Sequence, residues 1–514
     1  MDLVTKILWV AGLCSSACAA LVMGQDRAEF NIVKYGAVSG GQTLCTAAIQ
    51  QAIEACHAAG GGEVVVPDGA FLTATLYLKD HVALHLEKGA TLLGSTKIAD
   101  YPLLPPTATR IDDFLTRALI FARGAKSLSI IGEGVIDGNN RVGQTDFLDE
   151  PKRKRKDRPL LVWFDQCEHI LVKGVTFKAA GFWTQAYSRS KGGLISGIKV
   201  RDNTNDNNDG CDLVDSHDFV VENCDIDCLD DGICLKAYTA FGCKNITIRN
   251  NKVKSLCNAI KTGTDSSGDG FQNLLIENNA LYQVGRAALA LETTDGGILK
   301  NIVVKNIKMD VVGTPIFIKL GDRQRPMTEA NGKKVVPQRV GSAEDIHISG
   351  IRATVGAVAK PEKEVYSHDE MRLYKETGPA PSSITGIPGH EVKGITIEDV
   401  EIEILGGYKK PVTAKYVDHA VPEKSTAYPN PDMFGMLPGY GFYLRHAREV
   451  TMRNIAVTST IEDPRAAVYL DDVRDSTFTG MTGRNVSATP TFLVKTGCVN
   501  VVTNESRGPV SPPN

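Results

Sequence analysis

Apolar and polar positions alternate along most of this chain in one recurring phrase. It runs polar, aliphatic, x, aliphatic, x, Asn/Asp/Gly, aliphatic. Instances are HILVKGV at 169–175, GIKVRDN at 197–203, DFVVENCDI at 218–226, NITIRNNKV at 245–253, NLLIENNAL at 273–281, NIVVKNIKM at 301–309, DIHISGI at 345–351, GITIEDV at 394–400 and EVTMRNI at 449–455. Alternation with a period of two predicts half-buried strands. Aligned positions Ile170, Ile198, Phe219, Ile246, Leu274 and Ile302 are 28, 21, 27, 28 and 28 residues apart, with no helical period between them. Strands that recur at one coil length without crossover helices predict an all-β fold, a single-stranded right-handed parallel β-helix. A β-propeller expects about 40–45 residues per blade, which the central spacing does not match. Beyond Ile302 the steps to Ile346, Ile395 and Val450 widen to 44, 49 and 55 residues. This reads as a mixture of extra coils and long loops. The stretches 322–342, 355–391 and 406–440, rich in Pro, Lys, Glu and Gly, are the expected loops, and such loops commonly build a binding face.

One segment breaks the strand pattern. Residues 30–69 read FNIVKYGAVSGGQTLCTAAIQQAIEACHAAGGGEVVVPDG. Ala47, Ile49, Ala52, Ile53 and Cys56 recur at helical spacing, Thr43 or Thr46 can cap the helix, and Gly60-Gly61-Gly62 stops it. Val64-Val65-Val66 then starts a strand. A solenoid must cover the open end of its core, and this amphipathic helix is the expected N-terminal cap.

The chain begins MDLVTKILWVAGLCSSACAALVMGQD. A lone Lys6, an apolar run from Ile7 to Leu13 and then small residues have the layout of a secretory signal peptide. Cleavage after Gly24 is expected, with Ala19 and Ala20 as alternatives; Ser15 stands where lipid attachment at Cys18 would want an aliphatic residue. The apolar run falls short of the ~20 residues a membrane span needs, and no other segment reaches that length. The domain reading is therefore a signal peptide over 1–24, one β-helix domain over 25–504 and a disordered tail over 505–514, in a secreted or periplasmic protein. A net charge of −3 makes no general case for nucleic-acid binding. Six of the twelve cysteines cluster at 211, 224, 228, 234, 243 and 257. They lack the CxxC pairing and nearby histidines of a zinc site, and read as stacked interior thiols or one or two disulfides. No cofactor is implied, and a monomer is expected.

The chemistry concentrates in two acidic clusters. One is Asn208-Asp209-Gly210-Cys211-Asp212; the other, 21 residues on, is Asp230-Asp231-Gly232. Asp-Gly is a common turn dipeptide, so one such site would be unremarkable. Two sites on neighbouring coils, with strands roughly 4.7–4.9 Å apart, crowd three carboxylates into one patch. Like charges held close raise one pKa, leaving a protonated acid beside ionised bases. Glycoside hydrolysis needs that pairing: an acid for the leaving oxygen and a base for the attacking water.

With these motifs the chain resembles glycoside hydrolase family 28, the polygalacturonases and their relatives. The family's NTDG-x-D and DD motifs appear here as NNDGCD at 207–212 and DDG at 230–232. The opening YGA…TAAIQQAIEAC…GGGEVVVPDG, the GEGVIDG phrase at 132–138 and GFWT at 181–184 belong to the same resemblance. It implies a pectic polysaccharide or oligosaccharide as substrate and an inverting hydrolysis. By resemblance Asp230 is the general acid, and Asp209 and Asp231 hold and deprotonate the attacking water. Two motifs depart. Where the family has GHG, this chain has Cys257-Asn258-Ala259. Where it has RIK, which holds a galacturonate carboxylate, this chain has ALALETTDGG, with Glu292 near the lysine's place. A carboxylate there repels an acid sugar.

Other cations could take over. Lys261 lies in the rung after the acids, and PIFIKLGDRQRP supplies Lys319, Arg323 and Arg325. Arginine binds carboxylates bidentately; each of these side chains could equally be ion-paired, Lys261 or Lys319 with Glu292. Asn208, Asn258, Lys261, Glu292, Lys319 and Arg323 are thus the candidate substrate-binding residues. Trp183 and Tyr238 could stack on a sugar or pack in the core. The basic run Lys152–Arg158 is either a solvated loop or a cleft-edge attraction for an anionic chain. His81 and His85 read as structural. Two rival functions remain on the same fold: a pectate-lyase-like β-eliminase using the acids to bind calcium, and a non-catalytic carbohydrate-binding solenoid.

Overall fold

The computed structural model describes residues 28–141, 145–146, 157–329, 331–358, 378–408, 411–486 and 493–504. The expected signal peptide at 1–24, the tail at 505–514, most of the basic run and much of the 355–391 stretch lie outside them. The described residues form two compact units. The first runs to Lys252 and takes in Thr328–Lys334; the second takes in the rest from Val253 onward. No helix among the described residues is long and apolar enough to cross a membrane.

In the first unit every coil contributes three short parallel strands, and like strands stack into three faces. One face is Ala118–Arg123, Leu160–Asp165, Gln185–Ser188, Cys211–Val214 and Ile233–Ala237. The second is Val82–Leu86, Lys126–Gly132, Glu168–Lys173, Lys191–Ser196, His217–Glu222 and Cys243–Arg249. The third is Ala90–Gly94, Val135–Asp137, Thr176–Lys178, Lys199–Arg201 and Asp225–Cys228. This is the expected parallel β-helix. The helix Thr46–Ala58 turns Ile49, Ala52, Ile53 and Cys56 inward as predicted, while Ala47, expected on the same stripe, is exposed in the first turn. Its N-cap is Cys45, not a threonine: the Thr46 hydroxyl instead accepts the Ala74 N–H at 2.8 Å, tying the cap to the first coil.

The polar ends of the recurring phrase have a backbone reason. His169, Asp218 and Asn245 at its start, and Asn223 and Asn250 near its end, all have φ between 55° and 60°. These are left-handed corners, which Asn and Asp tolerate better than most L-residues. The Asn245 amide also donates to Asp218 of the coil below at 2.8 Å.

The expected alignment through Ile198 is corrected. Ile170 pairs with Gly193, and Gly193 with Phe219, so the coils are 23 and 26 residues, not 28 and 21. The phrase at 197–203 belongs to the third face. Glycine hides the aliphatic signal because Phe219 fills its place: a Cβ on Gly193 would sit 2.1 Å from the Phe219 ring. Gly193→Ala therefore overpacks this coil. A loss of about 1–3 kcal/mol is expected in the denaturant midpoint, with partial recovery when Phe219→Leu is added.

In the second unit the register follows the predicted positions throughout. Leu274, Ile302, Ile346, Ile395 and Val450 stack in direct succession. No extra coil intervenes, so the widened spacing is all loop. One such loop packs onto the sheet through Val421, Phe434 and Leu437, which meet Ala287, Ala290, Phe317, Tyr443 and Tyr469. Arg465 fastens it, donating to the Leu437 carbonyl at 3.0 Å and the Tyr408 hydroxyl at 2.8 Å. The ten described cysteines are thiols, all buried except Cys498; this is the stacked-thiol alternative.

Candidate active site

The strands Cys211–Val214 and Ile233–Ala237 decide where the acids stand. Their register pairs Cys211 with Ile233 and Asp212 with Cys234. Just before them the Gly210 and Cys211 N–H groups donate to the Asp231 and Gly232 carbonyls, both at 2.9 Å. Asp209-Gly210 therefore lies directly against Asp231-Gly232 one coil away. Glycine is required there by close approach: a Cβ on Gly210 would meet the Gly232 carbonyl oxygen at 2.6 Å. Asp209 and Asp231 are buried, and Asp230 is half-buried. The Asp230 carboxylate accepts the Asp231 N–H at 3.0 Å and the Asn207 amide at 3.4 Å. Thiols hold the same turn from inside: Cys228 donates to the Asp230 carbonyl at 3.2 Å.

Sequence reading missed the cation of this site. Ile233, Leu235 and Ala237 point into the coil, so Cys234 and Lys236 share the outward face with Asp212. The Lys236 ammonium donates to Asp209 Oδ2 at 3.0 Å, to Asp212 Oδ1 and to Cys234 Sγ at 3.0 Å. Its remaining side lies on the Trp183 ring, 4.4 Å from the centroid. The period-two alternation of 233–237 was the available signal. Burial, then the adjoining Asp212 carboxylate, push Asp209 well above the usual carboxylate range, against the pull of Lys236. Burial likewise lifts Asp212 to about 6 although Lys236 opposes it. Burial disfavours the Lys236 ammonium, but Asp209 and Asp212 outweigh it and hold that group well above an ordinary lysine.

Asn208 is fully buried. Its amide donates to the Ala180 and Phe182 carbonyls at 2.9 and 2.8 Å, and its oxygen accepts the Asn205 N–H at 2.6 Å. It sets the turn that carries Asp209. Arg158, the end of the basic run, is buried rather than solvated. It binds Asp206 at 2.8 Å and the Asn207 oxygen at 2.9 Å, and lies over Phe182. Trp183 and Tyr238 are buried in one aromatic cluster with Phe121 and Trp163, so both take the core alternative. His85 pairs with Glu63 at 2.8 Å.

The remaining candidates belong to the second unit. Asn258 is buried and accepts the Ala287 N–H at 3.2 Å. Glu292 and Lys319 are register partners on adjacent coils, and both are buried. The Lys319 ammonium donates to the Gly386 carbonyl at 3.3 Å beneath Phe434, and burial brings it down to about 8. Arg323 is committed to buried Asp295, with Nε at 3.0 Å from Oδ1. Its Nη2 also donates to the Thr264 carbonyl, so Nε and Nη2 are both held within the protein. Arg325, which pairs with Asp265 at 3.1 Å, is the more accessible neighbour. Lys261, Arg323 and Arg325 all lie within 6.0 Å of the exposed Tyr428 ring, contributed by the 406–440 loop.

A family model described as glycosyl hydrolases family 28 matches residues 56–366. The chain is 29% identical over 343 residues to an exo-poly-alpha-D-galacturonosidase of Dickeya chrysanthemi, covering 55% of this chain and 56% of that protein. It is 27% identical over 299 residues to a probable polygalacturonase of Vitis vinifera, covering 54% and 60%. It thus spans a little over half the length of these relatives. In fold it is similar to a hyperthermoactive exopolygalacturonase from Thermotoga maritima, with a TM-score of 0.61, 20% identity and 87% and 96% of the two chains covered. A family 28 exopolygalacturonase of Yersinia enterocolitica gives a TM-score of 0.55 at 19% identity, covering 93% and 79%.

Proposed function

The chain belongs to glycosyl hydrolases family 28, and on that premise we propose that it hydrolyses glycosidic bonds of pectic chains with inversion, from chain ends. The observation that carries this reading is the stacking of Asp209 on Asp231 with half-buried Asp230 beside them. In the proposed reaction Asp230 protonates the leaving oxygen. Asp209 and Asp231 orient and deprotonate a water on the opposite face of the sugar. One possible ion site of the calcium-dependent alternative is already filled. Asp209, Asp212 and Cys234 offer three ligand atoms within 4.8 Å of one another, a spacing that suits an ion. The Lys236 ammonium already stands against all three.

One comparison favours action on chain ends: the relatives named above include an exo-acting galacturonosidase. In the second unit we assign acid-sugar binding to Lys261 and Arg325 around Tyr428, in place of an RIK lysine.

One digestion tests the whole reading. Homogalacturonan and short oligogalacturonates are incubated with the protein, and viscosity, reducing ends and the proton NMR spectrum of the first product are followed together. Inverted anomers and accumulating monomer or dimer, with little early fall in viscosity, are expected. A retained anomer overturns the inverting assignment. An unsaturated product that absorbs ultraviolet light overturns hydrolysis itself, and a rapid viscosity drop overturns exo action.

A further inference from the structure

Lys236 is a buried cation of the first unit with every donor engaged. An ammonium has three N–H donors, and the three go to Asp209, Asp212 and Cys234. Trp183 closes the fourth side. The group is buried, so it has no donor left for a sugar carboxylate and cannot serve as a displaced member of the RIK set. What it can do is act on the carboxylates. Asp212 lies on the strand, three residues after Asp209, and both approach the same nitrogen; Asp230 and Asp231 of the next coil also face Asp209. Without a cation between them, two buried carboxylates at this separation could not both stay ionised.

We propose that Lys236 is a positioning residue, an internal cation that opposes the upward push of burial on Asp209 and aims it at the attacking water while Asp212 holds the ammonium in place. The inference rests on the hydrolase reading above. It adds a division of labour that the acid motifs alone do not show: Asp212 is a partner of Lys236 and not a fourth catalytic acid. The ammonium stands against the three ligand atoms that could hold an ion there, so part of the acidic charge is met from within the chain.

The test is the pH dependence of two variants with opposite expected signs. Lys236→Met keeps the side chain's bulk and removes its charge. The base then ionises only at higher pH, and the acid limb of the pH–rate profile should move up by roughly 1–3 units. Turnover below that limb should fall about tenfold for each unit of displacement, with KM changed less than turnover. Asp212→Asn removes a like charge beside Asp209, and the acid limb should move down. Lys236→Ala should regain part of its rate with added ethylammonium, and no rate with the neutral ethanol analogue. A uniform loss with an unmoved limb in both substitutions, or no amine rescue, overturns the proposal.

A second measurement does not depend on turnover. Infrared difference titration of the protonated carboxyl stretch, in wild type and Lys236→Met, reads the same displacement with no substrate present. Unchanged carboxyl titration would sink the inference whatever the activity. An inactive wild type, or a fully active Asp230→Asn, would instead sink the hydrolase reading and leave the titration to decide the role of Lys236.

Discussion

Asp230→Asn is expected to lose about 10²–10⁴-fold in turnover, the usual contribution of a general acid, with an unchanged thermal midpoint. Folding should survive because asparagine has the same size and its oxygen can still accept the Asp231 N–H, now made at 3.0 Å. The role can be separated from general damage by changing the leaving group. An aryl glycoside that departs without protonation should restore most of the lost rate to Asp230→Asn. It should restore none to Asp209→Asn or Asp231→Asn, because both of those serve the water. Near-wild-type turnover of Asp230→Asn on a natural oligomer, measured by reducing-end release, would remove it from the acid role.

The largest expected stability effect is at Arg465. Asp463 and Arg465 are fully buried and paired, Nε to Oδ1 at 2.9 Å and Nη2 to Oδ2 at 2.6 Å. Arg465→Met leaves the Asp463 carboxylate buried without its cation, a loss of about 3–5 kcal/mol. The same change frees the Leu437 carbonyl and the Tyr408 hydroxyl, two anchors of the long loop. A lower denaturant midpoint and faster proteolysis within 408–437 are therefore expected together. Replacing both partners, Asp463→Leu with Arg465→Met, should recover most of the stability, since removing a whole buried pair is often neutral. It should not protect the loop. If Arg465→Met unfolds at the wild-type midpoint, the pair is not holding this part of the second unit.

The coil phrase was legible because its cause is local. Alternating aliphatic residues make each strand, and polar residues at Asp218, Asn223, Asn245 and Asn250 make left-handed corners that few other residues accept. The capping helix was legible for the same reason, through Ile49, Ala52, Ile53 and Cys56. Failures occurred where one coil completes another. Gly193 carries no hydrophobic signal, because its share of the core is supplied by Phe219 one coil on. The long steps after Ile302 could not be divided between coils and loops, because loop length leaves no periodic trace. Arg323 meets Asp295, 28 residues away in sequence, through a contact that no local pattern announces.

The candidate site divides along the same line. From sequence alone came the parallel coil, the two acid motifs and their stacking, since an interval near one coil length brings turns of neighbouring coils together. Tertiary structure alone decided which groups the acids meet. Lys236 is 27 residues from Asp209, and that separation says nothing about contact until the register pairs Val214 with Lys236. Asn208 and Asn258 look like available amides in the sequence; their backbone partners, Ala180, Phe182 and Ala287, come from other coils. Period and turn chemistry are properties of neighbouring residues, so they are written in the chain. Burial and ionisation are properties of a closed stack, where the dielectric and the nearest charge are set by residues a full coil away.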